Sequence, residues 1–292
     1  MRYLKPSSVS EAASLLESSQ GMILAGGTDM CVYMAEGFCS PETLIDLTGI
    51  DALRGIQINR DDHEAGTMII GACTTIAEIA ASEELPTCLR QGAQAVGSPQ
   101  IRNLGTIGGN VCNASPCGDT LAPLLTLDAQ FVLRSAGGTR TIASENFFTG
   151  PKKTVRKPNE ILESIELPIA SCGKVSAFRM IGNRNGQAIS QVNASVCLAI
   201  ADGRMSDVRV AVGSVAPIPL RLVELERFLT GKDIQGMSLT ELREPVLEAI
   251  RPINDVRSSA KYRQEVTVAL VFDALADCAG QYSRVGEGAS TC

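Results

Sequence analysis

Strand-like and helical apolar runs are intermixed up to Pro168 of this chain, and beyond it their order changes: three strand-like runs come together, then three helical ones. A doubly wound sheet needs alternation throughout, so this order predicts an α+β fold. Ser8 and Glu11 have capping-box spacing and start a helix whose apolar face is Ala12, Leu15 and Leu16. Residues 22–25 and 44–47 form short strands. Residues 56–58 and 68–70 form a hairpin around a polar turn that holds His63. Thr74 or Thr75 caps one helix, and residues 89–96 form another, which stops at Gly97. Residues 120–127 are helical, 131–133 and 139–142 pair as a hairpin, and 161–167 form a strand. Residues 99–116 mix Gly, Asn, Ser and Pro with Ile101, Leu104, Ile107 and Val111, the composition of a buried, shaped loop.

The stretch 168–174 marks a domain boundary. Beyond it, 177–180, 192–200 and 208–212 form antiparallel strands, with Asp202-Gly203 turning between the last two. Residues 220–229, 239–250 and 259–278 are helical, and a polar, disordered tail follows at 283–292. The expected division is a domain at 1–170, with lobes near 1–55 and 56–170, and a second domain at 175–282. A length of 292 residues suits such a division.

Composition limits the function. The chain is 45% hydrophobic and 20% charged, as ordinary globular proteins are. A net charge of -6 and a pI near 5.0 argue against a nucleic-acid or anionic-membrane surface. No apolar run approaches the roughly 20 residues of a membrane span, and the N-terminal residues lack a secretory core; a cytoplasmic location is expected. The 10 cysteines include no C-x-x-C pair, so no metal or cluster site is expected here. With His63 as the single histidine, hydrolytic triads have no support. A bound cofactor is the natural source of chemistry.

Two short stretches suit a phosphate: Ala25-Gly26-Gly27-Thr28-Asp29 and Thr106-Ile107-Gly108-Gly109-Asn110. Adjacent glycines let backbone N–H groups converge on an anion, and threonine adds a hydroxyl. Asp29 cannot face a phosphate, which leaves it to cap the next turn or accept from a sugar hydroxyl. Neither stretch has G-x-G-x-x-G spacing, and no Walker A lysine motif occurs. Either alone could be a tight turn; the pair, with Asn113 and Ser115 nearby, points to a ligand.

These residues carry a resemblance. Val96-Gly97-Ser98-Pro99-Gln100-Ile101-Arg102-Asn103-Leu104-Gly105-Thr106-Ile107-Gly108-Gly109-Asn110, with Ala25 to Asp29 upstream, resembles the FAD-binding (medium) subunit of the molybdenum hydroxylases. That family includes xanthine, nicotinate and carbon monoxide dehydrogenases. The resemblance covers essentially the whole chain. It implies a two-lobed FAD-binding domain of the vanillyl-alcohol-oxidase-like (PCMH-type) fold, followed by a smaller domain of antiparallel strands and helices. By position it implies FAD contacts from Ile23, Leu24, Ala25, Gly26, Gly27, Thr28, Asp29 and Met30, and from Thr106, Ile107, Gly108, Gly109 and Asn110. Asp119, Leu162 and Arg179 match later FAD-contacting positions, the last often a lysine in relatives. Asp119 could equally cap a helix, Leu162 could be core, and Arg179 could pair with a surface carboxylate. Val96 stands where eukaryotic relatives place an aromatic residue against the flavin ring, which implies different ring packing.

The resemblance implies no catalytic residue on this chain. Substrate oxidation would occur at a molybdopterin cofactor on a large partner subunit. Electrons would pass through two [2Fe-2S] clusters on a small subunit to FAD, and on to NAD or another acceptor. A xanthine dehydrogenase-like complex, as a dimer of heterotrimers, is the leading expectation. Alternatives are a nicotinate-, aldehyde- or carbon monoxide dehydrogenase-like complex, a stand-alone flavin oxidase, and a nucleotide-binding assembly protein.

Overall fold

A computed structural model describes residues 1–59, 66–184 and 186–289. His63 and the tip of its hairpin lie outside the described residues. In chain order, β1 (Arg2–Leu4), α1 (Val9–Ser19), β2 (Met22–Leu24), α2 (Met30–Ala35) and β3 (Thr43–Asp46) come first. Then follow β4 (Ile56–Asn59), β5 (Thr67–Gly71), α3 (Ile76–Ala81), α4 (Thr87–Ala95), α5 (Pro99–Leu104), α6 (Ile107–Asn113) and α7 (Leu121–Thr126). Strands β6 (Gln130–Ser135), β7 (Gly138–Ala143), β8 (Phe148–Gly150), β9 (Lys153–Thr154) and β10 (Ile161–Pro168) lead to α8 (Ile169–Cys172). Last come β11 (Val175–Gly182), β12 (Ser190–Ala201), β13 (Arg204–Gly213), β14 (Leu220–Arg221), α9 (Val223–Leu229), α10 (Leu239–Ala249) and α11 (Ala260–Ala289). The elements form an α+β architecture of two compact units.

The first unit comprises residues 1–79, 98–115 and 128–169. A parallel sheet of order β1-β3-β2 opens it, with Tyr3 beside Leu44 and Ile23 beside Ile45. Helix α1 buries Ala12, Ala13 and Leu16 in one cluster with Ile45 and Leu47. Its cap differs by one residue from the expected box. Ser8 Oγ accepts from the Glu11 N–H at 3.2 Å, but the Glu11 carboxylate reaches back to the Ser7 N–H at 2.8 Å. An antiparallel sheet of order β4-β5-β10-β6-β7 follows, which contains both expected hairpins. Phe131, Phe147 and Phe148 pack edge to face in this unit, the first two with centroids 4.8 Å apart.

The second unit comprises residues 80–97, 116–127 and 170–292. Its antiparallel sheet has the order β11-β12-β13-β14. Val192, Val196, Val210 and Val212 share a core with Leu242 and Val246 of α10 and with Val271 and Leu275 of α11. The turn between β12 and β13 is Asp202-Gly203, both at positive φ as a tight primed hairpin turn requires.

Four differences from the sequence expectations have local causes. Residues 99–116 are not one loop: Ser98 and Thr106 each cap a short helix, α5 and α6, too short to show a helical period. The contact boundary does not fall only at 168–174, because α4 and α7 belong to the second unit. The edge strand β11 needs partners for its outer N–H groups, and the Gln91 side chain of α4 accepts from the Phe178 N–H at 2.7 Å. Residues 220 and 221 join the sheet as β14 before α9 begins. Finally, α11 runs on to Ala289, through most of the expected polar tail.

Candidate functional site

In the first unit, β2 carries the chain out of the parallel sheet into the first glycine-rich stretch. Ile23 and Ala25 pack against the α1 core, which anchors the strand end. Gly27 has a φ of +71°, left-handed backbone that glycine adopts without strain. Gly26 lets the chain pass against the end of α5: a Cβ there would lie 1.8 Å from the Leu104 carbonyl oxygen. Among the described residues, no protein acceptor takes the backbone N–H groups of Gly26, Gly27, Thr28 or Asp29. Four successive open donors, on half-exposed Gly26, Gly27 and Thr28 and exposed Asp29, make the kind of row that binds an anion.

The second stretch works differently from the sequence expectation of bare amides. The Gly108 N–H donates to the Ala72 carbonyl at 2.8 Å, the Gly109 N–H to Thr106 Oγ1 at 3.1 Å, and the Asn110 N–H to the Thr106 carbonyl at 3.0 Å. The Ala72 carbonyl, the Thr106 cap and the first helical bond of α6 consume these donors. Gly108 instead permits close packing, since a Cβ would sit 2.6 Å from the Ala72 oxygen. Ile107 is buried beneath, and Gly109 is exposed. The two stretches do meet. The position a Cβ would occupy on Gly105, directly before the second stretch, is 3.4 Å from Thr28 Oγ1.

Asp29 neither caps α2 nor stands free. It occupies the N-cap position without a side-chain capping bond, and its Oδ2 accepts from Asn113 Nδ2 at 3.0 Å. Met30 begins α2 and receives the Cys39 thiol at 3.7 Å. Lys152, an exposed residue, donates to Tyr33 and Asn113 beside this segment. The Gly150-Pro151 pair signals a turn there, but nothing in the sequence singles out which lysine meets Tyr33 and Asn113.

The remaining candidates are placed separately. Leu162 is a core residue of β10 in the first unit. Val96, Asp119 and Arg179 belong to the second unit. Val96 ends α4. Asp119 is not a helix cap: Thr120 holds the N-cap position of α7, and Asp119 Oδ1 accepts from Ser190 Oγ and from Asn193 Nδ2 at 3.1 Å. Burial outweighs the downward pull of the two hydrogen bonds and leaves the Asp119 carboxyl raised to about 6. Arg179 pairs through Nε and Nη2 with both oxygens of Asp277, at 2.6 Å each. That ion pair raises the guanidinium further, through the hydrogen bond above all.

The described cysteines are free thiols, and Cys73, Cys88, Cys197 and Cys278 are buried. Among the described residues, no helix is long and apolar enough to cross a membrane.

The family described as "FAD binding domain in molybdopterin dehydrogenase" matches residues 1–170. The chain belongs to the FAD-binding medium subunits of the molybdenum hydroxylases. A second family, "CO dehydrogenase flavoprotein C-terminal domain", matches residues 176–278. The carbon monoxide dehydrogenase medium chain of Hydrogenophaga pseudoflava is 31% identical over 279 residues, spanning 94% of this chain and 95% of that one. The xanthine dehydrogenase FAD-binding subunit of Escherichia coli O157:H7 is 29% identical over 289 residues, 96% and 97% of the two chains. Among solved structures, the reconstituted CO dehydrogenase from Oligotropha carboxidovorans matches with a TM-score of 0.88 at 27% identity, covering 95% of this chain and 97% of that one.

In this medium subunit, the donors at hand fit the cofactor of its family. Open amides suit the oxygens of a pyrophosphate, and the Thr28 hydroxyl can add one more hydrogen bond. The close approach that Gly26 allows leaves no room for a side chain on the α5 side of that cradle.

Proposed function

We propose that this chain is the flavin-bearing electron-transfer subunit of a xanthine dehydrogenase-like molybdenum hydroxylase. The observation that supports this most is the row of four unpaired amides from Gly26 to Asp29, held against the end of α5. In this proposal the row takes the FAD pyrophosphate. Thr106 to Asn110 shape the neighbouring wall through packing and an exposed Gly109, rather than through free amides. Leu162 in the first unit, and Val96, Asp119 and Arg179 in the second, are proposed as further FAD contacts from the family resemblance.

Bound FAD would collect electrons singly and pass them on in pairs. The chain's own groups bind and orient it. Substrate oxidation at molybdenum and relay through two [2Fe-2S] clusters are assigned to partner subunits, with NAD or another acceptor downstream. A dimer of heterotrimers and a cytoplasmic location belong to the same proposal. A relative named as a xanthine dehydrogenase subunit supports the xanthine-like choice, while relatives named for carbon monoxide, nicotinate and glyceraldehyde keep the test open.

Purified wild-type protein is expected to be yellow and to release FAD on denaturation. Gly26→Ala places a methyl group on a backbone oxygen and is expected to lose the flavin. Colourless wild-type protein that cannot be reconstituted with FAD would refute the flavin assignment. Co-purification with a molybdenum subunit and xanthine-dependent reduction of NAD test the complex. Turnover of another substrate would retain the flavin role and replace the substrate.

A further inference from the structure

Three side chains from separate parts of the first unit meet beside the first glycine-rich stretch. Tyr33 lies on α2, Asn113 ends α6, and Lys152 stands between β8 and β9. Lys152 Nζ donates to Asn113 Oδ1 at 2.8 Å and to Tyr33 Oη at 2.6 Å. Asn113 Nδ2 donates to Asp29 Oδ2 at 3.0 Å. The Lys152 backbone is itself held in place: its φ is +60°, and its N–H donates to the Ala114 carbonyl at 2.9 Å. An ammonium only donates and a carboxylate only accepts, so the Asn113 amide has one workable orientation, oxygen to Lys152 and nitrogen to Asp29. One amide therefore links a cation to an anion.

Asp29 closes the row of open amides, and a carboxylate there repels any anion the row would hold. We propose that Lys152 is a positioning residue for a dinucleotide pyrophosphate. Through Asn113 it offsets the charge of Asp29 and fixes that carboxylate in the side-chain network, and it ties α2 to the end of α6. This rests on the flavin reading above.

The test is a titration of the full-length apoprotein with FAD, at low and at physiological salt, followed by flavin fluorescence, with melting temperatures measured alongside. Lys152→Met is expected to weaken FAD by about three- to tenfold at low salt, and less at physiological salt. Lys152→Arg is expected to restore affinity to within about twofold, because it keeps the charge. In an Asp29→Asn background, Lys152→Met should cost less than about twofold, since no carboxylate remains to offset. A purely structural role would produce the same loss in both backgrounds. Unchanged FAD affinity in Lys152→Met, or an equal loss with Asn at 29, would overturn the proposal. Should Lys152→Met fail to fold, Lys152→Gln makes the same comparison, and equal affinity of Lys152→Gln and Lys152→Arg would overturn it. A wild-type chain that takes up no FAD would refute the flavin reading itself, and this proposal with it.

Discussion

Asp119 shows how much a single residue's setting differs from its sequence context. Beside the start of α7 it has the position of a cap, yet its carboxylate turns to Ser190 and Asn193 of β12 and is buried. Burial raises its pKa to about 6, against an ordinary value of 3.8. A raised carboxyl pKa means the fold prefers the protonated form. The group costs nothing below about pH 4, and its penalty grows as pH rises through 4 to 6. Asp119→Asn keeps the acceptor for Ser190 and Asn193 and cannot ionise. Its melting temperature relative to wild type is therefore expected to rise between pH 4 and pH 7, and thermal scans across that range check it. A difference that stays flat with pH would show that Asp119 remains ionised throughout. The sequence named Asp119 as a candidate, but burial and partners from β12, about seventy residues on, are tertiary facts that no local pattern encodes. The same holds for Lys152, one of several lysines in a basic stretch until the fold brings it to Tyr33 and Asn113.

At the scale of elements, legibility followed the apolar period. The β6–β7 hairpin and the Asp202-Gly203 turn were written in alternation and turn chemistry, as were most strands of the three larger sheets. Helices α5 and α6 were not, because they are six and seven residues long and made by the caps Ser98 and Thr106 rather than by a stripe. Strand β14 has no period either: at two residues, it reads in the sequence as the start of the helix that follows. The junction it forms is nonetheless tightly held. Arg221 pairs with Glu226 of α9 at 2.6 Å, and Glu226 Oε1 also accepts from the Val210 N–H of β13 at 2.9 Å. Both side chains are largely buried, at 14% and 9% exposure. Glu226→Ala would leave a buried guanidinium and a strand N–H without that partner, at a cost of about 3 kcal/mol. Glu226→Gln, which keeps an acceptor, should cost less; urea unfolding of the two variants and wild type makes the comparison.

For the whole molecule, the order of elements gave the α+β class and the glycine stretches the family, but not how the contacts are shared out. The chain crosses between units several times, so that α4 and α7, which lie within residues 1–170, are built into the unit that holds the last sheet. The division of labour between the two glycine-rich stretches was also hidden. Their sequences look alike, yet only the first leaves its amides open, while the second spends them on Ala72 and on its own helix. That contrast supports the proposal that the medium subunit holds FAD chiefly by its pyrophosphate, at Gly26 to Asp29. The most direct test compares the affinities of the full-length apoprotein for FAD and for riboflavin, which lacks the phosphates. Several charge-assisted hydrogen bonds to a pyrophosphate predict that FAD binds at least about a hundredfold more tightly. Riboflavin binding as tightly as FAD would contradict the account.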